Sequence, residues 1–266
     1  MSLDQLDPKY RVILCDIWGC IHDGVSLYPG VSERLRRWKE EGRRVILITN
    51  APRTADAVAR QLERLGLDAA LWDAIATSGE AGIERLKQAA RAVGFIGTRH
   101  DRADLESRGV RIADGPEFDE LACAGIDETR RRIKDYEEEL RALAARDVLM
   151  HCLNPDRLVI RGGVAEPCAG ALADRYVALG GRVEWYGKPY PAIYRHAMHL
   201  AGEPASEEVV AVGDGLHTDI LGAARMGFDC IFVRGGIHRG EDFPEDFGPQ
   251  NGLGDWRPVA VVDSLH

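Results

Sequence analysis

The chain has 266 residues, of which 45% are hydrophobic and 29% are charged, and its formal net charge is −9. This composition is typical of a soluble globular protein of one or two domains, and it excludes a disordered, collagen-like or disulfide-stapled chain. The negative charge argues against nucleic acid or a membrane surface as a partner, and no apolar run reaches the ~18 residues of a membrane helix. We therefore expect a cytoplasmic protein.

The amino-terminal part alternates buried strands with amphipathic helices. The centres of Tyr10–Asp16 and Arg43–Asn50 are continuously apolar, as expected of strands covered on both faces. A helix is predicted over Ser32–Glu41, with Gly42 as its end, and a second helix begins near Thr54. This alternation predicts an α/β protein with a parallel sheet.

The middle of the chain, residues 78–187, changes character and is predicted to be an insertion. Its sequence predicts, in order, a helix at Glu80–Ala92, strands at Val93–Thr98 and Val110–Ala113, a charged helix at Asp127–Ala145, strands at Val148–Asn154 and Arg157–Gly163, and a last helix and strand up to Trp185.

Beyond Gly187 the first pattern returns. Helices are predicted at Pro191–Ala201 and Thr218–Met226, and the apolar segments EEVVAVGDG, CIFVRGG and VAVVDSL read as strands. We therefore predict a discontinuous core domain at 1–77 and 188–266, with a second domain at 78–187 inserted into it.

Polar residues follow the predicted core strands at their carboxyl ends, the edge where doubly wound sheets bind ligands. Carboxylates are hard ligands suited to Mg²⁺, a lysine can neutralise a phosphate oxygen, and an aspartate can attack phosphorus. A protein that transfers a phosphoryl group must above all neutralise its negative charge, and it has less covalent chemistry to perform. The residues that predict it here are Asp16, Thr49, Asn50, Lys188, Asp214 and Asp219.

Four segments, DIWGCIHDG, LITNAPR, YGKPYP and VGDGLHTD, resemble in this order the four motifs of the haloacid dehalogenase (HAD) superfamily of phosphatases. The first two motifs are close together, and a long segment separates the second from the third, as in the class IIA or NagD-like subfamily. The resemblance implies a Rossmann-like core, an inserted α/β cap domain and Mg²⁺-dependent hydrolysis of a small phosphorylated metabolite. It also implies a possible homodimer formed through the cap.

The resemblance also implies a role for each matching position. Asp16 corresponds to the nucleophile. The phosphate-binding positions are Thr49, Asn50 and Lys188. The metal site is implied to consist of Asp16, the backbone carbonyl of Trp18, Asp214 and, in a supporting position, Asp219.

Trp18 departs from the usual family pattern, in which a second aspartate protonates the leaving group, and it implies an atypical subgroup. Three hypotheses follow. His22 or Asp23 supplies the acid and base; the substrate has a leaving group that needs little protonation; or the protein is a slow or inactive phosphatase that binds phosphate and metal as a ligand-binding module. Loss of a general acid or base typically costs about 10²–10⁴-fold in rate.

Specificity is expected to come from the inserted domain. Asn154, Asp156 and Arg161 lie in the segment NPDRLVIRGG, where related enzymes place a substrate-facing loop, although Asn-Pro-Asp is also ordinary turn chemistry. His217, close to Asp214 in sequence, is a further candidate for substrate binding.

Overall fold

The computed structural model describes residues 3–161, 164–235 and 242–266, with the backbone alone at 160, 161 and 164. The strands are β1 Val12–Asp16, β2 Arg44–Thr49, β3 Ala74–Thr77, β4 Gly94–Ile96, β5 Glu120–Cys123, β6 Leu149–Cys152, β7 Leu158–Arg161, β8 Val164–Pro167, β9 Arg182–Trp185, β10 Val209–Gly213, β11 Asp229–Val233 and β12 Ala260–Val262. The α-helices are α1 Val31–Glu40, α2 Ala55–Arg64, α3 Ser78–Lys87, α4 Arg99–Ser107, α5 Glu137–Ala145, α6 Ala169–Ala178, α7 Pro191–Leu200, α8 Leu221–Arg225 and α9 Phe247–Gln250.

The chain divides into two compact units. The first consists of residues 1–49, 55–76 and 188–266, and the second of residues 50–54 and 77–187. The segment 50–54 and Thr77, which the sequence placed in the core domain, therefore group with the inserted part of the chain. The helices in the described ranges are all too short or too polar to cross a bilayer.

The first unit is built on a six-stranded sheet, over the residues described, with the strand order β12-β11-β10-β1-β2-β3. β1 pairs in parallel with both β2 and β10, and β11 and β12 continue in parallel beyond β10. All residues of β1 and β10 are buried. The strand order reverses between β1 and β10, and this reversal is where an open parallel sheet offers a ligand-binding crevice.

Helix α1 shows how this unit forms its core. Leu35 and Trp38, three residues apart on one face, are fully buried. The helix stops at Gly42, whose positive φ of 75° favours glycine over residues with a side chain. The predicted helix over Ser32–Glu41 and the apolar strands on both sides of it are therefore confirmed.

The second unit has its own sheet and its own hydrophobic core. Strands β4, β5, β6 and β9 form a parallel sheet in that order, and β7 and β8 form an antiparallel hairpin. Tyr136 and Tyr176 are fully buried in its core. The hydroxyl of Tyr176 donates a hydrogen bond to the carbonyl of Val148 at 2.6 Å, so that its polar end is satisfied inside the core.

A buried polar cluster lies on the sheet of this second unit. His151 is fully buried, with Nε2 2.7 Å from a carboxylate oxygen of Glu120 and Nδ1 2.9 Å from the hydroxyl of Tyr186. Arg85 is in turn paired with Glu120 at 3.0 Å. Burial lowers the pKa of His151, although Glu120 acts in the opposite direction.

Residues 127–132 are not helical, so the prediction of a helix starting at Asp127 is wrong. The side chain of Asp127 accepts hydrogen bonds from the backbone N–H and the hydroxyl of Thr129, each at 2.6 Å. The hydroxyl of Tyr136 accepts from the N–H of Asp127 at 2.8 Å and donates to the carbonyl of Arg130 at 2.9 Å. These side-chain hydrogen bonds satisfy the backbone in a loop, which removes the advantage of a helix.

The strand predicted at Val110–Ala113 is also wrong. In this described segment Ile112 forms an isolated bridge with Val93, immediately after Gly109 with its positive φ of 86°. Conversely, the sequence patterns did not predict β3, α4, β5, β8 and α9. Each of these elements has nine residues or fewer, which is too short for a clear periodic pattern.

Candidate active site

Three polar side chains stand at the carboxyl ends of adjacent core strands. Asp16 is the last residue of β1, Thr49 is the last residue of β2, and Asp214 directly follows β10. All three are buried. Because these strands are parallel and in register, the three residues come to the same edge of the sheet, at the reversal of strand order.

Lys188 joins two of the buried carboxylates. Its ammonium group contacts Asp16 and donates to Asp219 at 2.7 Å, and each of these three residues exposes no more than 4% of its surface. The second carboxylate oxygen of Asp219 accepts from the backbone N–H of Gly215 at 3.1 Å and from the hydroxyl of Thr218 at 3.2 Å. Asp219 therefore holds the lysine in place by hydrogen bonds within the chain.

The electrostatics of this cluster favour binding of a further cation. Burial raises the pKa of Asp16 well above its usual value, and the negative charge of Asp219 adds to this effect while Lys188 opposes it. Burial alone would lower the pKa of Lys188, but the two carboxylates outweigh it and the pKa is raised, so the lysine stays charged. When Asp16, Asp214 and Asp219 are ionised, one ammonium does not balance them.

A possible metal-binding group lies at the same place. One ligand atom each from Asp16, Cys20 and Asp214 lies within 4.8 Å of the others, and all three residues are buried. Burial, followed by the charge of Asp214, raises the pKa of the Cys20 thiol, so this group stays protonated and is a poor ligand. The two carboxylates are the hard oxygen donors that suit Mg²⁺.

Gly19 makes the close approach of this loop to Asp214 possible. Its φ is +91°, and a Cβ at this position would lie 2.1 Å from a carboxylate oxygen of Asp214. The sequence patterns gave no role to Gly19 or Cys20, although a glycine three residues after the end of β1 is a signal of a tight turn.

Trp18 packs within the turn that follows β1. Its ring lies edge-on to the His22 ring, with centroids 5.2 Å apart, and a Cβ at Gly24 would lie 2.4 Å from it. His22 is buried and its Nδ1 accepts from the N–H of Gly24 at 2.9 Å. The indole carries no group that could protonate a leaving oxygen.

Asp23 has the structural role of a turn residue. Its carboxylate accepts from the backbone N–H groups of Ser26 at 2.8 Å and Val25 at 2.9 Å, and these bonds lower its pKa. It is exposed and ionised, which argues against Asp23 as the replacement acid. His217 is also exposed, within a π-helical turn at Leu216–Ile220.

The remaining predicted residues lie in the second unit. Asn50 donates from its side-chain amide to a carboxylate oxygen of Asp156 at 2.8 Å, and Asn154 accepts from the N–H of Asp156 at 3.0 Å. The structure therefore pairs Asn50 with Asp156, to which the sequence assigned separate roles. Arg161 is the last residue of β7, and its side chain lies outside the described part of the structure.

The fold and the residues at the carboxyl ends of β1, β2 and β10 together define an α/β protein. Its carboxylate and lysine centre lies where the strand order of the parallel sheet reverses. A model of the haloacid dehalogenase-like hydrolases matches residues 13–111, and a HAD-hydrolase-like model matches residues 185–266. The chain is 31% identical over 236 residues to the ribonucleotide monophosphatase NagD of Escherichia coli K12, covering 86% of this chain and 90% of NagD.

Solved structures agree with these matches. A haloacid dehalogenase-like hydrolase from Brucella suis 1330 superposes with a TM-score of 0.85 at 31% identity, covering 100% of this chain and 99% of that one. The 4-nitrophenylphosphatase of Thermotoga maritima gives 0.76 at 28% identity, covering 97% and 95%. The chain belongs to the haloacid dehalogenase-like hydrolases and is of the NagD-like type.

Proposed function

We propose that this enzyme is a Mg²⁺-dependent phosphatase that cleaves a small phosphomonoester through an aspartyl phosphate on Asp16. The observation that carries the proposal is the buried centre in which Lys188 binds both Asp16 and Asp219, beside Asp214 at the same sheet edge. Two relatives, NagD and the Thermotoga 4-nitrophenylphosphatase, are named as phosphatases, which supports this chemistry.

The donor set fits Mg²⁺. Asp16 and Asp214 supply two carboxylates within 4.8 Å, and the backbone carbonyl of Trp18 is the third ligand of the proposal. When bound, the ion supplies positive charge that offsets the phosphate and the unbalanced carboxylates. Asp219 is assigned a supporting role, since its oxygens already bind Lys188 and the loop at Gly215.

The chain's own residues perform the covalent steps. Lys188 contacts one carboxylate oxygen of Asp16 and so orients this group for attack on phosphorus. As the bond from Asp16 to phosphorus forms, the bond to the ester oxygen breaks, and the leaving group takes the electron pair and a proton from water. A second water then attacks phosphorus, loses its proton to solvent, releases inorganic phosphate and restores the carboxylate.

Binding of the phosphate is assigned to Thr49, Asn50 and Lys188. Contacts with the rest of the substrate are assigned to Asn154, Arg161 and His217, and the second unit would serve as the cap that selects the substrate. These assignments rest on the motif positions given above.

The turn after β1 bears on the choice of substrate. Trp18 cannot protonate a leaving group, and Asp23 is an exposed, ionised turn residue. Either His22 supplies the proton, or turnover depends on the stability of the departing oxyanion, which favours aryl and acyl phosphates over alkyl phosphates. The same observations favour a second candidate function, a slow or inactive module that binds phosphate and metal.

Hydrolysis of para-nitrophenyl phosphate and of a panel of sugar, nucleotide and cofactor phosphates, with and without Mg²⁺, tests the proposal. Asp16→Asn removes the nucleophile at equal volume, and we expect turnover to vanish while the fold remains. Normal turnover by this variant would show that Asp16 is not the nucleophile.

Asp23→Asn is the matched control, because it removes a carboxylate from the same turn and keeps an oxygen for the backbone bonds. We expect it to retain wild-type turnover. A loss of about 10²–10⁴-fold would instead identify Asp23 as the acid. If the wild type cleaves no ester but binds inorganic phosphate in calorimetry with Mg²⁺ present, the binding module is the correct function.

A further inference from the structure

The chain passes from one unit to the other directly beside two residues of the proposed phosphate site. Thr49 is the last residue of the first unit before Asn50, and Lys188 is the first residue after Gly187. Asn50 and Gly187 thus stand at the ends of two segments of the second unit, each joined by one peptide bond to a phosphate-binding residue. Contacts that hold Asn50 and Gly187 in place therefore also restrain Thr49 and Lys188.

Asn50 and Gly187 are held by the same group of residues in the second unit. A Cβ at Gly187 would lie 2.5 Å from the side-chain oxygen of Asn50 and 2.4 Å from a ring carbon of Pro155, so the three residues pack closely. On the other side, the amide of Asn50 donates to Asp156 at 2.8 Å. The hydroxyl of Ser78, fully buried, lies 2.8 Å from the backbone carbonyl of Asn50.

The turn Asn154-Pro155-Asp156 is itself fixed against helix α6. The side chain of Asn154 accepts from the N–H of Asp156 at 3.0 Å, and the carbonyl of Asp156 accepts from the N–H of Gly170 at 3.1 Å. A Cβ at Gly170 would lie 2.2 Å from the carbonyl oxygen of Pro155. These contacts fix the position of the Asp156 carboxylate, which accepts the hydrogen bond from Asn50.

We propose that Asp156 is a positioning residue for phosphate binding, acting through the amide of Asn50, and not a contact for the variable part of the substrate. The proposal rests on the phosphatase function above. Since the phosphate group is common to all substrates, loss of Asp156 weakens binding of every substrate to the same extent. A residue that touched the remainder of the substrate would change the preference between substrates.

The test compares Asp156→Ala with the wild type for several phosphate esters and for inhibition by inorganic phosphate. We expect KM for each ester and the inhibition constant for phosphate to rise together by roughly 10-fold, the lower range for a lost hydrogen bond to a charged group. Asp156→Asn keeps an oxygen that accepts from Asn50 and should restore most of the affinity. Asp174→Ala, which removes the exposed partner of Arg157 in the same unit, is the control and should leave both constants unchanged.

A double-mutant cycle separates positioning from a general loss of structure. If Asp156 acts through Asn50, adding Asp156→Ala to Asn50→Ala weakens phosphate binding no further. Additive losses, or a change in KM for some esters with phosphate inhibition unchanged, would overturn the proposal. If Asp156→Ala fails to fold, Asp156→Ser replaces it, because a shorter hydroxyl does not reach the Asn50 amide.

Failure of this proposal is distinguishable from failure of the phosphatase function. A wild type that hydrolyses no ester overturns the proposed function, and calorimetry with inorganic phosphate and Mg²⁺ still compares wild type and Asp156→Ala. Equal phosphate affinity of the two proteins, or no phosphate binding by the wild type, would overturn the role of Asp156.

Discussion

Replacing Lys188 by methionine removes the ammonium that lies between two buried carboxylates. Lys188 exposes 3% of its surface, contacts Asp16 and donates to Asp219 at 2.7 Å, while Asp16 and Asp219 each expose 4%. Methionine fills a similar volume, so the main change is electrostatic. Two carboxylates then stay buried without the cation that compensates them.

Removal of one partner of a buried ion pair costs about 3–5 kcal/mol, because the remaining charge stays desolvated. For a unit of this size a loss of 1 kcal/mol lowers Tm by ~2–4 °C. We therefore expect Lys188→Met to lower the Tm of the first unit by roughly 6–20 °C in the absence of Mg²⁺. Differential scanning calorimetry with EDTA present measures this shift.

The double variant Lys188→Met with Asp219→Asn tests the cause of the loss. It removes one of the two carboxylates as well, so that it should be more stable than Lys188→Met alone. A Tm of Lys188→Met within 2 °C of the wild type, or a double variant that is no more stable than Lys188→Met, would refute the electrostatic reasoning.

The other predictions concern the metal loop and the polar cluster of the second unit. Gly19→Ala places a Cβ 2.1 Å from Asp214 at a φ of +91°, so the Mg²⁺ concentration for half-maximal activity should rise about 10-fold or more. Gly42 has a similar φ of +75°, but a Cβ there would have nothing within 4 Å. If Gly42→Ala raised the Mg²⁺ requirement as much as Gly19→Ala does, the clash with Asp214 would be excluded as the cause. Burial holds the pKa of His151 below its unfolded value of about 6.5. The stability that the neutral ring contributes is therefore fully present above pH 6.5 and is lost as the pH falls toward the folded pKa. The loss is at most ~1.4 kcal/mol per pH unit. The Tm of His151→Gln should therefore depend less on pH between 7 and 5 than that of the wild type, and parallel curves would contradict this assignment.

The sequence by itself was sufficient to predict most of the core unit. Strands such as β1 and β2 are short apolar runs between turn residues, and α1 shows its buried face at Leu35 and Trp38, because these patterns arise from neighbours in the chain. The positions of Asp16, Thr49 and Asp214 at strand ends followed from the same patterns. Parallel strands bring their carboxyl ends to one edge, so chain order alone was enough to place these residues there.

Other features were decided by the tertiary structure. Asp219 looked like a metal neighbour in the sequence, yet its oxygens hold Lys188 and the N–H of Gly215. The charges of 127–132 suggested a helix, whereas the buried hydroxyl of Tyr136 holds that segment in a loop.

The pairing of Asn50 with Asp156 joins residues 106 positions apart and changes the role proposed for Asp156. Periodicity and motif spacing report on neighbours in the chain, and they predicted the strands and the residues at their ends. The partner of a buried polar group depends on which distant segments fold against it, and only the tertiary structure contains that information.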